Sequence, residues 1–280
     1  MSKVDCPMTL SAAAFRHPRP PAVAGMFYPG DPATLARDVD DALAVARTPA
    51  GPAPKALIAP HAGYVYSGPV AASAYAALEP VRATIRRVVL LGPCHRVAVR
   101  GLALPSADAF DTPLGRVPVD RDAIALLAGL PQVVVSGAAH AQEHSLEVQL
   151  PFLQRVLREF SIVPLVVGDA TADEVAEVLD RLWGGPETPI LVSSDLSHYH
   201  RYEDAARIDR ATAGAILRLD PALDHEQACG ATPIAGLVTV ARRRGLAAKL
   251  LDLRNSGDTA GDRRRVVGYA AFAFLDGVPA

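Results

Sequence analysis

Short apolar runs bounded by glycine, proline or charge alternate along this chain with longer stretches whose apolar residues recur at helical spacing. The runs predict strands at "ALIAP" (56–60), "RVVLLGP" (87–93), "QVVVSG" (132–137), "SIVPLVVG" (161–168), "PILVSSD" (189–195), "LAAKLLDLRN" (246–255) and "RVVGYAAFAFL" (265–275). Helical spacing fills the gaps at roughly 145–159, 172–183, 201–219 and 232–245. Two earlier helices are marked by their first residues: Asp31 and Pro32 stand as N-cap and first helical position of one, and Ser67 and Pro69 open an alanine-rich second. Between the second and third strands, "DTPLGRVPV" reads as a hairpin leading into a further helix. This rhythm predicts an α/β fold, a single domain over residues 21–280 with a mostly parallel or mixed central sheet flanked by helices. Residues 1–20 read as a disordered N-terminal tail.

Composition narrows what such a domain does. Lysine plus arginine number 28 against 30 for aspartate plus glutamate, and no basic stripe carries interleaved aromatics, which argues against nucleic acid as a partner. The arginines of "RRVV" and "GDRRRVVGY" read as solvated strand ends. No apolar stretch approaches the ~20 residues of a membrane span, and the N-terminus has no apolar run of secretory length. Three cysteines, Cys6, Cys94 and Cys229, are too few and too odd for a disulfide framework; they fit a reducing compartment and hence the cytoplasm. Neither a phosphate-binding loop of the G-x-x-x-x-G-K-[ST] kind nor a G-x-G-x-x-G after a strand supports nucleotide binding.

The chemistry gathers at strand ends. His61 follows "ALIAP", Cys94 and His95 follow "RVVLLGP", Asp195 and His198 follow "PILVSS", and Cys229 precedes a helix start marked by Gly230, Thr232 and Pro233. Strands of one sheet end at one edge, so residues far apart in sequence converge there. His61, His95 and Cys229 then make a two-nitrogen, one-sulfur metal site suited to iron, zinc or copper rather than to magnesium or calcium. Asp195 and His198 stand beside it as further ligands or acid/base groups. Cys94 reads as a small buried hydrophobe. Cys229 reads as ligand or nucleophile, because a helix N-terminus draws a thiol towards thiolate. In "AHAQEHSLEVQLPFL", His144 and Glu147 share a helix face at i, i+3, with His144 leaning towards the site. His200 and His225 read as surface residues, and His17 belongs to the tail. The loop "RNSGDTAGD" reads either as a pocket wall that offers backbone N–H groups to an anionic substrate or as a flexible hairpin connection.

The ordered set "AGMFYP", "APHAGYVYSG", "LGPCH", "EHSLEVQLPFL", "SSDLSHY" and "CGATP" resembles the Memo family, the B component of the AmmeMemoRadiSam gene neighbourhoods of bacteria and archaea, over roughly residues 21–275. The resemblance implies a fold similar to that of class III extradiol dioxygenases. It also implies metal ligands at His61, His95 and Cys229, with His144, Asp195 and His198 as neighbouring catalytic candidates. Iron or copper is the implied cofactor, zinc a further candidate, and the substrate a small molecule of unknown identity. A thiolate where dioxygenases of that class carry a carboxylate sets the site apart from ring cleavage. Two other readings stand beside this one. The first is a metal-carrying scaffold for partner proteins, among them a radical-SAM enzyme of the same neighbourhoods. The second is a metal-free hydrolase with Cys229 as nucleophile and His198 or His61 as base.

Overall fold

A computed structural model describes residues 17–47 and 51–277. In chain order the elements are α1 (Pro32–Val45), β1 (Ala56–Ala59), α2 (Tyr64–Tyr75), β2 (Arg87–Pro93), β3 (Leu102–Leu104), β4 (Ala109–Thr112), β5 (Gly115–Pro118), α3 (Arg121–Ala125), β6 (Val133–Val135), α4 (Gly137–Ala141), α5 (Leu150–Val156), β7 (Ser161–Val167), α6 (Ala172–Arg181), β8 (Ile190–Ser193), β9 (His198–His200), α7 (Tyr202–Leu217), α8 (Ala231–Arg243), β10 (Leu246–Asn255), α9 (Ser256–Thr259) and β11 (Val266–Asp276). The main sheet runs in the order β10-β11-β1-β8-β2-β7-β3-β6, with β9 paired to β11. Strands β1, β8, β2 and β7 are parallel; β11 and β10 add antiparallel at one side, and β3 pairs antiparallel with β7 at the other. The sheet is therefore mixed, as the sequence pattern predicts.

The parallel centre explains the continuous apolar runs. Every residue of β1 and β8 is buried, and so are Val88 to Pro93 of β2, because helices cover both faces of these strands. The chain steps from β1 to β2 through α2 and returns from β7 to β8 through α6. Right-handed crossovers in opposite directions put these two helices on opposite faces of the sheet. Removing one large buried side chain from this core, such as Leu90 or Leu91, would cost on the order of 2–5 kcal/mol. Among the described residues, no helix is long and apolar enough to cross a membrane.

Several boundaries differ from the sequence pattern for identifiable reasons. Helix α1 starts as expected, with the Asp31 carboxylate accepting from the Thr34 N–H and Pro32 in the first turn. Helix α2 begins at Tyr64, ahead of Ser67, and holds Pro69 inside it. "QVVVSG" pairs only over Val133–Val135, as an edge strand. The helix expected over 145–159 is a 3-10 turn, Glu147–Gln149, followed by the shorter α5. Its missing first turn is drawn off the helical path by the Glu143 carboxylate, which accepts from the backbone N–H groups of His144 and Ser145.

The chain is tied into the fold before residue 21. Arg19 is buried, and its guanidinium donates to the Glu147 carboxylate (2.6 Å) and to the backbone carbonyls of His140 and Glu143 (2.6 Å each). Residues 1–16 of the expected tail, Cys6 included, lie outside the described residues.

Candidate metal centre

Three neighbouring parallel strands, β1, β8 and β2, deliver the centre at their carboxyl ends, where adjoining loops separate and leave a crevice. His61 follows β1 and Asp195 follows β8, while Cys94 and His95 follow β2. From the other direction, α8 brings Cys229 to the same edge. Its first residues approach β8 so closely that a Cβ on Gly230 would stand 2.7 Å from that of Ser194. Glycine is required there, and the Gly230 N–H donates to Ser194 Oγ (2.9 Å). The loop 143–146 packs just as tightly on the end of β2, where a Cβ on Gly92 would meet Ser145 and Leu146 at 2.9 Å.

The expected donors converge. One ligand atom from each of His61, His95 and Cys229 lies within 4.8 Å of the others, and His61 Nε2 stands 3.3 Å from Cys229 Sγ. Each imidazole has its Nδ1 engaged, leaving Nε2 for the centre. For His61 the partner is Ser193 Oγ (2.8 Å); for His95 it is the Glu143 carboxylate (2.9 Å), which also accepts from the His95 backbone N–H (2.6 Å). A histidine whose far nitrogen is held by a hydroxyl or a carboxylate is the usual arrangement of a metal ligand. The residues thus fit a soft-to-intermediate transition metal.

Burial sets the charges. His61 is held well below its ordinary pKa by burial, with His95 and His144 adding repulsion, so it is neutral. Burial also opposes ionisation of Glu143, yet hydrogen bonds from the His95 ring, the Ser145 N–H and the His95 N–H bring its carboxyl down to about 2. The Cys229 thiol goes the other way: burial, reinforced by the Asp195 carboxylate, pushes it up to about 12. This corrects the expectation that the helix start favours a thiolate. In the metal-free protein desolvation outweighs the helix end.

His144, Asp195 and His198 line one cavity with His61 and His95, of about 860 Å³. The His144 ring stacks on His95 at 4.8 Å between centroids and meets His61 edge-on at 5.4 Å. Its Nδ1 is buried without a hydrogen-bond partner, and burial lowers its pKa to about 4. Glu147 does not join it. Its carboxylate faces away, accepting from Arg19, the backbone N–H groups of Ala22 and Val23, and the Tyr28 hydroxyl. The shared helix face fails because His144 precedes the helix. Asp195 accepts from the His61 N–H (2.7 Å), and burial raises its carboxyl to about 6 against the pull of nearby His198. His198 Nδ1 donates to the Leu196 carbonyl (2.8 Å). Cys94 is half-buried, its thiol donating to the Val97 carbonyl; His200 is partly exposed and His225 exposed.

Sequence reasoning missed some of the cavity wall. Arg264 and Arg265 are exposed beside the start of β11, as expected, and they also line the cavity, to which the "RNSGDTAGD" loop adds Ser256, Gly261 and Asp262. Arg264 is paired to Asp262 (2.8 Å), whereas Arg265 lies over the Tyr199 ring at 5.1 Å. Tyr199 takes a φ of 64°, a left-handed conformation costly for an aromatic residue and concentrated at functional sites. Ser193 and Gln149, both buried beneath His61, were also missed. Their signal was polarity inside otherwise apolar segments.

A family model described as "Memo-like protein" matches residues 19–273. A MEMO1 family protein of Methanopyrus kandleri is 38% identical over 288 residues, covering 92% of this chain and 99% of that protein. Another, from Aquifex aeolicus, is 37% identical over 270 residues with the same coverage. Among solved structures, an uncharacterized protein from Escherichia coli K12 shares the fold at a TM-score of 0.50 and 15% identity, across 76% of this chain and 98% of that one. With the strand-end histidines, the cysteine and their order all in place, the chain belongs to the Memo family.

Proposed function

We propose that this protein is a metal-dependent, oxidoreductase-like enzyme that holds iron or copper through His61, His95 and Cys229 and acts on a small anionic molecule in the adjoining cavity. The observation that carries this reading is the pair of histidines whose Nδ1 atoms are both engaged, standing with one ligand atom each within 4.8 Å of one another and of the Cys229 sulfur. Such an ion, when bound, supplies one-electron chemistry; zinc suits the same donors but brings none. Asp195, with a carboxyl near 6, is the group best placed to hold or pass a proton near neutral pH, and His198 beside it shares that role. The Arg265 guanidinium, over Tyr199 at the cavity wall, orients a carboxylate or phosphate group. Fold likeness to ring-cleaving dioxygenases is no reason to assign ring cleavage, since function lies in the site. A cysteine nucleophile is less favoured, because a thiol pushed up to about 12 has little thiolate character at neutral pH.

The test is metal analysis of untagged protein purified anaerobically, alongside folded His61→Ala and Cys229→Ser variants. Near-stoichiometric iron or copper in the wild type, lost in both variants, is expected. Full metal content in either variant would overturn the ligand assignment.

A further inference from the structure

We infer that Ser193 is a positioning residue that selects the ring tautomer of His61, an inference that rests on the metal-centre reading above. Ser193 Oγ has one proton and three close neighbours: the Ser145 carbonyl at 2.5 Å, Gln149 Nε2 at 2.7 Å and His61 Nδ1 at 2.8 Å. A carbonyl only accepts, so at that separation the Ser193 proton lies on the line to Ser145. The orientation of the Gln149 amide is equally determined. Its nitrogen also stands 3.0 Å from the Pro60 carbonyl, while its oxygen faces the Tyr75 hydroxyl. Turning the amide over would set two acceptors against each other at Pro60. Gln149 therefore donates to Ser193.

With its proton spent on Ser145 and one lone pair taken by Gln149, Ser193 has only an acceptor to offer His61. Nδ1 must carry the ring proton, and Nε2 is left bare where it meets Cys229 Sγ at 3.3 Å. Ser145 and Ser193 are fully buried, Gln149 and Tyr75 nearly or fully so, which keeps bulk solvent from supplying a competing partner. The opposite tautomer would place a proton on the nitrogen that faces the centre. It would also leave the Ser145 carbonyl unpaired in the core, at a cost the folded chain avoids.

The experiment uses the full chain, stripped of metal with a chelator and labelled with 15N, and reads the ring nitrogens of His61 by long-range proton–nitrogen NMR, assigned by difference from His61→Gln. Cobalt(II) titration of the same samples reads affinity through the thiolate charge-transfer band. The wild type is expected to show Nδ1–H and bare Nε2. Ser193→Ala is expected to mix or reverse the tautomers and to weaken cobalt binding by roughly 10- to 100-fold. Ser193→Thr, which keeps the hydroxyl and suits a strand, is expected to restore both. Nε2–H in the wild type would overturn the inference whether or not Ser193→Ala folds. An unchanged tautomer and affinity in a folded Ser193→Ala would do the same. Should the wild type show the expected tautomer but take up no cobalt, the tautomer inference stands and the metal-centre reading falls.

Discussion

The centre has two halves that solve the same problem by different means. The inner half, at the ends of β1 and β8, holds a 2% exposed His61 with a neutral hydroxyl and sets it against a neutral, partly buried thiol. The rim half, at the end of β2, holds His95, whose side chain is 29% exposed, with the ionised carboxylate of Glu143. A carboxylate in place of Ser193 would face the Ser145 carbonyl with few N–H groups to meet it; Glu143, itself only 2% exposed, is satisfied by four N–H groups. The N–H donors at hand, rather than depth, thus decide which kind of support each histidine receives. A neutral hydroxyl holds the His61 ring, and an ionised carboxylate holds the His95 ring.

Four measurements break or sharpen that contrast. The largest effect is expected at Arg19, whose guanidinium holds the 140–147 segment under the rim: Arg19→Met leaves Glu147 charged, buried and without its cation, and should cost about 3–5 kcal/mol in urea unfolding. Next, Cys229→Ser should lower affinity for a thiophilic metal by more than about 100-fold while leaving stability nearly unchanged, since the serine keeps the size of the side chain and a neutral donor. An equal loss from a rim substitution would erase the distinction.

The third effect is on pH. Burial holds His140 down at about 4, against an ordinary value near 6.5, while its Nε2 donates to the Ala103 carbonyl. The unfolded chain takes up the proton first, so this contribution to stability is complete above 6.5 and is lost as pH falls towards 4. Between pH 7 and pH 5 that loss is about 2 kcal/mol, and His140→Gln should remove it from the pH profile. The smallest effect is expected for Glu143→Gln, about a tenfold loss of metal affinity, because the amide oxygen still accepts part of what the carboxylate did. If Glu143→Gln matched Cys229→Ser instead, the carboxylate would have to be counted as a ligand beside His144.

Much of this was legible in the sequence because it is local. The bounds of β2 and β10 follow directly from "RVVLLGP" and "LAAKLLDLRN", and the capping of α1 from Asp31 and Pro32. The convergence of His61, His95 and Cys229 followed from a topological rule about strand ends. Partnerships across the chain were not legible. Nothing near Arg19 signals that its partners lie at residues 140, 143 and 147, and nothing near Ser193 announces Gln149 or His61. The Glu143 turn was missed for a related reason: a carboxylate that binds its own backbone competes with the helix that "EVQLPFL" favours. Arg264 and Arg265 are exposed at a strand end, as the sequence suggests, but charge next to a strand says nothing about which way the neighbouring loop folds, so their place on the cavity wall was not legible.

The close seating of Gly230 against Ser194 has a consequence for how the protein is made. The donors leave the ribosome in the order 61, 95 and 229, and the sulfur reaches its place only once the start of α8 can dock on the finished end of β8. Until then the nascent chain offers two histidines on strands still waiting for neighbours, a weak and unselective grip. The three donors therefore stand together only in the last fifth of synthesis, with β10 and β11 still to be made.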